Sequence, residues 1–198
     1  PLTIEKIGTG IESMFLKYPA LADSSTTDAP TKAFLCGYIC HLVADEAWIL
    51  EMYHPHIATS QDPPNNILTN IWDRALQLEM DCAAHIELDG MEQIRTWLAE
   101  AETRIGIGFL DPTTLDQWRT WVSDFTTWEF TWERLNILTR RMYKDDPQAG
   151  QMVNHFLSNM PDSLEDIHAT IAQSTVKNYQ SVAIHESVRF MEQYLNAS

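Results

Sequence analysis

The spacing of apolar side chains along the chain predicts helices throughout. Between Thr3 and Tyr18, apolar residues recur every three or four positions, which is the period of a helix with one buried face. The same kind of stretch returns from Ala33 to Pro55, where the chain reads AFLCGYICHLVADEAWILEMYHP. No segment of the sequence shows the two-residue alternation that is typical of a strand. The pattern therefore predicts an all-α fold.

Turn-forming residues divide this pattern into a bundle of about six to nine helices. Pro19 to Pro30 predicts a loop, and Asp28 or Thr27 is expected to cap the helix that follows. Pro55 is expected to end that helix near Tyr53. Later helices are predicted from Asn65 or Asn66 to Asp89-Gly90, from Met91 to Ile105, after Asp111-Pro112, from Gln148 to Asn159, from Ser163 to Gln173, and from Thr175 to Leu195. Residues 1–198 are predicted to form a single helical domain.

The most regular pattern lies in the second half of the chain. Large apolar residues follow one another there in steps of three and four, with Thr139 as the polar interruption: Trp118, Trp121, Phe125, Trp128, Trp132, Leu135 and Met142. Such a stripe predicts side chains packed in the core. A stacking platform for a ligand is the alternative. Two helices are expected to meet between Ser123 and Thr127.

Composition then excludes several classes of protein. The 198 residues are 44% hydrophobic and 10% aromatic, which suffices for a packed core and is unlike a disordered chain. Thirteen Lys and Arg against 28 Asp and Glu give a formal charge of −15, which repels phosphate backbones and anionic lipid surfaces. We therefore expect neither nucleic-acid binding nor stable membrane association.

Cysteine content and the ends of the chain bear on localisation. The three cysteines are too few for a disulfide framework and favour a reducing, cytoplasmic location. The sequence has no run of about 18 apolar residues and no secretory signal pattern. The chain begins with Pro1 rather than Met, so we expect the full-length protein to carry an amino-terminal segment upstream.

His41, Asp45 and Glu46 lie in the middle of the apolar stretch from Ala33 to Pro55. His41 and Asp45 are four residues apart, so they share one helix face and can point at one object. Imidazole and carboxylate are ligands that zinc and other divalent transition metals accept. The spacing therefore suggests a metal site. A structural His–Asp pair is an equally open alternative.

A second pair with the same spacing follows on the next predicted helix. Asp81 and His85 lie in LEMDCAAHIELDG. They would complete a four-ligand site with His41 and Asp45 if the two helices were antiparallel. The alternative is a solvated helix face rich in acidic residues.

The segment AFLCGYICHLVADEAW closely resembles the corresponding segment of the zinc-dependent phospholipase C family, which includes bacterial relatives and the amino-terminal domain of glycosylphosphatidylinositol-specific phospholipase D. In that family a helix of the form F-x-x-G-x-x-x-H-x-x-x-D supplies metal ligands, and Gly37, His41 and Asp45 match it in place. The preceding GIESMFLKYPALAD is similar to the same region of uncharacterised bacterial members. The family also takes ligands from an amino-terminal segment, whereas this chain has no histidine before His41.

This resemblance implies a soluble, zinc-dependent phosphoester hydrolase with His41 and Asp45 at its metal site. A bound metal would activate water, and Glu46, or else Asp45, would accept the proton. Glu46 is thus the predicted catalytic residue, and a small phosphoester or zwitterionic head group is the expected substrate. The alternative is a non-catalytic helical module, with an interaction or structural role, that retains the buried helix of the family.

Overall fold

The computed structural model describes residues 4–60, 66–87, 90–144 and 146–196. Within these ranges the chain forms nine α-helices and no strand, so the all-α prediction is confirmed. The helices are α1 (Thr9–Lys17), α2 (Ala29–Trp48), α3 (Ile67–Glu87), α4 (Met91–Glu100), α5 (Pro112–Phe125), α6 (Arg134–Tyr143), α7 (Pro147–Ser158), α8 (Asp162–Thr170) and α9 (Gln173–Asn196). The boundaries predicted at Thr3, Asn65 and Asp89 lie outside the described residues.

The chain divides into two compact units. Unit 1 consists of Pro1–Leu50, Asp89–Trp128 and Gln180–Ser198, and unit 2 consists of Glu51–Leu88 and Glu129–Tyr179. Unit 1 therefore contains α1, α2, α4, α5 and most of α9, while unit 2 contains α3, α6, α7 and α8. That the whole chain is one domain stays a prediction.

Helix α2 supplies the centre of the unit 1 core. Asp28 caps it as predicted, because its carboxylate accepts a hydrogen bond of 2.8 Å from the Thr31 N–H. Leu35, Ile39 and Val43 repeat every four residues along α2 and are fully buried. The core residues that join them from the rest of unit 1 are Ile11, Met14, Leu21, Ile105, Ile107 and Tyr194.

The chain beyond α2 differs from the prediction that Pro55 ends the helix. A π-helix continues from Ile49 to Ile57 and contains Pro55. After it, the Ala58 N–H donates to the Tyr53 carbonyl at 2.7 Å, which is the five-residue bond of a π-helix. In an α-helix, proline cannot donate to the carbonyl four residues back, and its ring clashes with that carbonyl. The hydrogen bond formed here spans five residues instead.

The combined helical stretch Ala29–Ile57 bears on membrane association. It is 29 residues long, and its length and composition would allow it to cross a membrane. The core helix of a soluble protein and a signal sequence pass the same test, so the finding favours no location.

A non-helical segment that buries two isoleucines replaces the end of the predicted fourth helix. That helix ends at Glu100 rather than Ile105. Ile105 and Ile107 enter the unit 1 core from a non-helical segment, where the Gly106 N–H donates to Thr31 Oγ1 at 3.3 Å. The glycines of this segment disfavour a helix. Burial of the two isoleucines stabilises the non-helical conformation instead.

Unit 2 packs α3 against α6 and α7. Ile71, Ala75 and Leu78 of α3 are buried, as their helical spacing predicts. A hydrogen bond of 2.6 Å from Asn70 Nδ2 to the Tyr143 hydroxyl joins α3 to α6. The α8 histidine His168 lies 2.9 Å from a Glu79 carboxylate oxygen of α3, so this histidine has a structural partner.

The aromatic stripe is the largest departure from the sequence prediction. Trp118, Trp121 and Trp128 are 62%, 47% and 50% exposed, so their assignment to the core is wrong. The stripe is interrupted because α5 ends at Phe125, inside the predicted Ser123–Thr127 junction, and α6 begins only at Arg134. Residues before and after this break therefore do not share one helix face. The polar interruption, Thr139, is itself buried.

Candidate functional site

The predicted metal-binding pair lies on the solvent-facing side of α2. His41 Nε2 is 3.6 Å from Asp45 Oδ2, and the two side chains are 61% and 64% exposed. The structure therefore places both residues on one helix face, as their spacing predicts. Their exposure leaves both groups accessible to a dissolved ion or ligand.

An aromatic cluster adjoins this pair on the preceding turn of α2. The Tyr38 ring centroid is 6.0 Å from that of His41 and 5.3 Å from that of Phe109. Phe34 lies one turn further back, 5.9 Å from Tyr38. The imidazole thus has a ring neighbour on one side and a carboxylate on the other, which restricts its orientation.

Glu46 follows directly in the sequence but has a different environment. Its side chain is buried, and its two oxygens accept backbone N–H bonds from Gly8 at 2.6 Å and Gly10 at 2.5 Å. The carboxylate therefore caps the amino terminus of α1, where the helix dipole favours a negative charge. A general base needs an oxygen within reach of the substrate proton. These two bonds favour a structural role for Glu46, and its catalytic role stays a prediction.

The two glycines at this cap explain how the carboxylate approaches the backbone. Gly8 has φ +103, and a Cβ there would lie 2.4 Å from the Phe190 ring. A Cβ on Gly10 would lie 2.9 Å from Glu46 Oε1. Gly8 therefore requires glycine, whereas a side chain at residue 10 would displace the Glu46 carboxylate from its present position. The two closely spaced glycines are the sequence signal that was available for this cap.

The second predicted pair lies on α3 in unit 2. Asp81 and His85 are both solvent-exposed. Partial desolvation raises the pKa of the Asp81 carboxyl, and the charge of Arg134 opposes that rise. No further acidic or histidine side chain joins them in a metal-sized group within the described residues.

Within the described residues, no group of three or more His, Cys, Asp and Glu side chains could hold a metal ion. Catalytic zinc sites use three protein ligands and one water or substrate position. His41 and Asp45 belong to unit 1, and Asp81 and His85 belong to unit 2. The four-ligand site of His41, Asp45, Asp81 and His85 therefore stays a prediction.

A second surface feature of unit 1 is a row of stacked aromatic rings, which we call the aromatic ladder: Trp118, Trp121, Phe125 and Trp128. Successive ring centroids along the ladder are 5.9, 5.1 and 5.6 Å apart. Edge contacts alternate with one stacked pair, which is the preferred geometry of aromatic neighbours. The ladder thus presents a continuous, preordered apolar surface to solvent.

The segment 90–128, which contains the aromatic ladder, has more acidic than basic residues. Residues 90–128 contain three arginines, and each pairs with a nearby carboxylate: Arg95 with Glu92, Arg104 with Glu102, and Arg119 with Asp116. Glu100 and Asp124 have no such partner among the described residues. Arg119 also donates to the Ala99 carbonyl at 2.6 Å and so closes the end of α4. The segment that contains the ladder therefore carries a net negative charge.

Comparison of the chain with protein-family models, curated proteins and solved structures gives no match. The resemblance of the α2 segment to the zinc-dependent phospholipase C family accordingly rests on Gly37, His41 and Asp45 and their neighbours in sequence, and it stays a prediction.

Proposed function

We propose that this chain is a helical binding module whose aromatic ladder docks a basic, apolar segment of a partner protein. The observation that carries the proposal is the exposure of the ladder, in which Trp118 is 62% and Trp121 47% exposed. Contiguous exposed apolar surface of this kind is typical of interaction sites. Tryptophan is also the residue type most enriched among side chains that dominate binding energy.

Charge complementarity indicates the chemistry of the partner. The three arginines of residues 90–128 are already paired with carboxylates, whereas Glu100 and Asp124 form no ion pair with any described residue. The whole chain carries −15, which raises the local concentration of cationic partners. Lysine and arginine side chains also bind tryptophan faces through cation–π contacts. A partner segment with alternating apolar and basic side chains would satisfy both features of the surface.

A titration with a dye-labelled amphipathic peptide tests this proposal. The probe is a synthetic helix of Leu and Lys, with a Leu and Glu helix of the same pattern as its control, and binding is read by fluorescence anisotropy. We expect the Leu/Lys helix to bind and the double variant Trp118→Ala, Trp121→Ala to weaken that binding at least about tenfold. Trp97→Ala, on α4 and 63% exposed, is the matched control and should change it less than about threefold.

Two results would overturn the proposal. One is equal binding of the Leu/Glu helix, because recognition would then not depend on complementary charge. The other is self-association of the chain that the double variant abolishes, because this would assign the aromatic ladder to a second copy. Circular dichroism of each variant separates a loss of binding from a loss of fold.

The His41–Asp45 pair supports a second proposal, a metal-dependent phosphoester hydrolase similar to zinc-dependent phospholipase C. Its two side chains are ligand types for zinc or another divalent transition metal, and they lie close together and open to solvent. A small phosphoester is the proposed substrate. Because the described residues hold a pair and not three ligands, we assign no catalytic step to these side chains.

Metal content distinguishes this second proposal from a structural His–Asp pair. Protein purified without chelator should contain zinc or a related metal, and the double variant His41→Ala, Asp45→Ala should lose it. His185→Ala is the matched control, since this histidine of unit 1 is also exposed. Equal metal content in the double variant and the parent protein would contradict the proposal.

A further inference from the structure

Unit 2 contains a cleft that neither proposed function uses. Its volume is about 630 Å³, which lies in the range of small-molecule sites. Helices α3, α7 and α8 form its walls. The lining side chains are those of Leu68, Trp72, Gln151, Met152, His155, Phe156, Asn159, Asp162, Ser163 and Asp166.

One wall of the cleft is apolar and aromatic. Trp72 of α3 and Phe156 of α7 are largely buried, at 8% and 4% exposure, and both border the cleft. Both are among the buried hydrophobic residues of unit 2. Met152, one turn before Phe156, adds a polarisable thioether to the same side. The wall is suited to the hydrocarbon or aromatic part of a ligand.

Helix α8 contributes two solvent-exposed carboxylates to the lining of the cleft. Asp162 and Asp166 are four residues apart on α8, so they lie on the same face of the helix, and both border the cleft. No described residue donates a hydrogen bond to either side chain, and none forms an ion pair with it. The lining includes no lysine or arginine. The cleft therefore holds two like charges that a bound cation would stabilise.

Two amide groups in the lining supply further acceptors. Asn159 Nδ2 donates to the His155 backbone carbonyl at 2.7 Å, which fixes the amide and leaves its oxygen as an acceptor. Gln151 adds a second amide to the lining. An ammonium group has three donors and no acceptor, so it matches a site of carboxylate and amide oxygens.

We propose that this cleft binds a small organic ammonium ion whose apolar part packs on Trp72 and Phe156 and whose charge lies against Asp162 and Asp166. Aromatic faces and carboxylates together attract an organic cation. A bare metal ion fits less well, because the described residues form no metal-sized group of three ligands and the rings would remain uncovered. The site lies in unit 2 and does not depend on the aromatic ladder or on His41.

Isothermal titration calorimetry with 2-phenylethylammonium tests the inference. The matched neutral probe is 2-phenylethanol, which keeps the ring and replaces the ammonium by a hydroxyl. We expect the ammonium to bind at least about tenfold more tightly, with an affinity that falls as salt is added. Equal affinity for the alcohol, or no binding of the ammonium at millimolar concentration, would overturn the proposal.

Substitutions then assign the binding to the cleft. The double variant Asp162→Asn, Asp166→Asn removes both charges with little change of shape, and we expect at least a tenfold loss of ammonium affinity. Glu165→Gln is the control, because it lies on the same helix and does not border the cleft. Unchanged affinity in the double variant, or an equal loss in the control, would show that the cation does not bind at this site.

Discussion

Helices α2 and α5 both carry a continuous apolar stripe, and the fold uses them in opposite ways. The stripe of α2, formed by Leu35, Ile39 and Val43, has no exposure to solvent. The stripe of α5 is more regular in sequence, yet Trp118 and Trp121 are 62% and 47% exposed. Spacing shows that one face of a helix is apolar. It does not show whether another segment covers that face.

The chemistry of the two stripes matches their environments. Aliphatic side chains stabilise a fold only when they are removed from water. In α2 they are covered by α1, by α9 and by the non-helical segment that contains Ile105 and Ile107. Tryptophan combines a large ring with an N–H donor, so it tolerates a position between water and an apolar partner. The stacked rings of α5 also bury part of one another's surface. This difference predicts unequal effects of substitution.

The largest effect is expected from truncation in the α2 stripe. Leu35→Ala should lower the free energy of unfolding by about 2–5 kcal/mol, because it leaves a cavity in a fully buried site. Trp118→Ala should change it by about 0.5 kcal/mol or less, although it removes a larger side chain. Urea denaturation followed by far-ultraviolet circular dichroism measures both. Similar losses would mean that the α5 stripe is covered in solution.

Two neighbouring acidic residues of α2 extend the comparison to polar groups. Glu46→Ala should cost about 1–3 kcal/mol, because it leaves the Gly8 and Gly10 N–H groups without their acceptor. Asp45→Ala should cost about 0.5 kcal/mol or less, since its side chain is exposed. Denaturant midpoints compared at neutral pH test this order. If Asp45→Ala were more destabilising than Glu46→Ala, the His41–Asp45 pair would be the structural element of the two. The assignment of Glu46 as a cap would then be wrong.

The amino-terminal caps of α2 and α5 give a smaller, pH-dependent effect. Hydrogen bonds from Thr31 lower the pKa of Asp28, and hydrogen bonds from Thr114 lower the pKa of Asp111. Each carboxylate therefore stabilises the fold above the unfolded pKa of about 3.9, and this contribution is lost as the pH falls through the lower folded pKa.

Asparagine keeps the cap geometry without the charge, so Asp28→Asn and Asp111→Asn should melt near the parent protein at neutral pH. Below about pH 4 the parent should lose stability more steeply than either variant. Thermal melts across this range measure the difference. We expect Asp28→Asn to show the larger change, because α2 lies in the core and α5 at the surface. Parallel curves for parent and variants would contradict the assigned caps.

The smallest expected effect concerns membranes. The aromatic ladder is exposed, but the charge of −15 repels anionic lipid. We therefore expect no co-sedimentation with phosphatidylserine-containing vesicles at physiological salt. The double variant Trp118→Ala, Trp121→Ala should behave like the parent. Sedimentation of the parent alone would identify the ladder as a membrane-binding surface.

Much of the local structure was predictable, because it depends on neighbouring residues. Helical periodicity, the caps at Asp28 and Asp111, and the break near Phe125 all arise within one or two turns of chain. The i, i+4 geometry of His41 and Asp45 is local in the same sense. The π-helix around Pro55 escaped prediction, since the usual rule for proline assumes α-helical hydrogen bonding.

The sequence by itself determined an all-α chain, the position of most helices and the pairing of His41 with Asp45, because these depend on contacts a few residues apart. Only the tertiary structure decided that Glu46 caps α1, that the aromatic ladder faces solvent and that α7 and α8 bring His155 and Asp166 to one cleft. Those outcomes depend on contacts such as Gly8 to Glu46, which are 38 residues apart in sequence. Burial is a property of the surface that covers a side chain, and the periodicity of one helix contains no information about that surface.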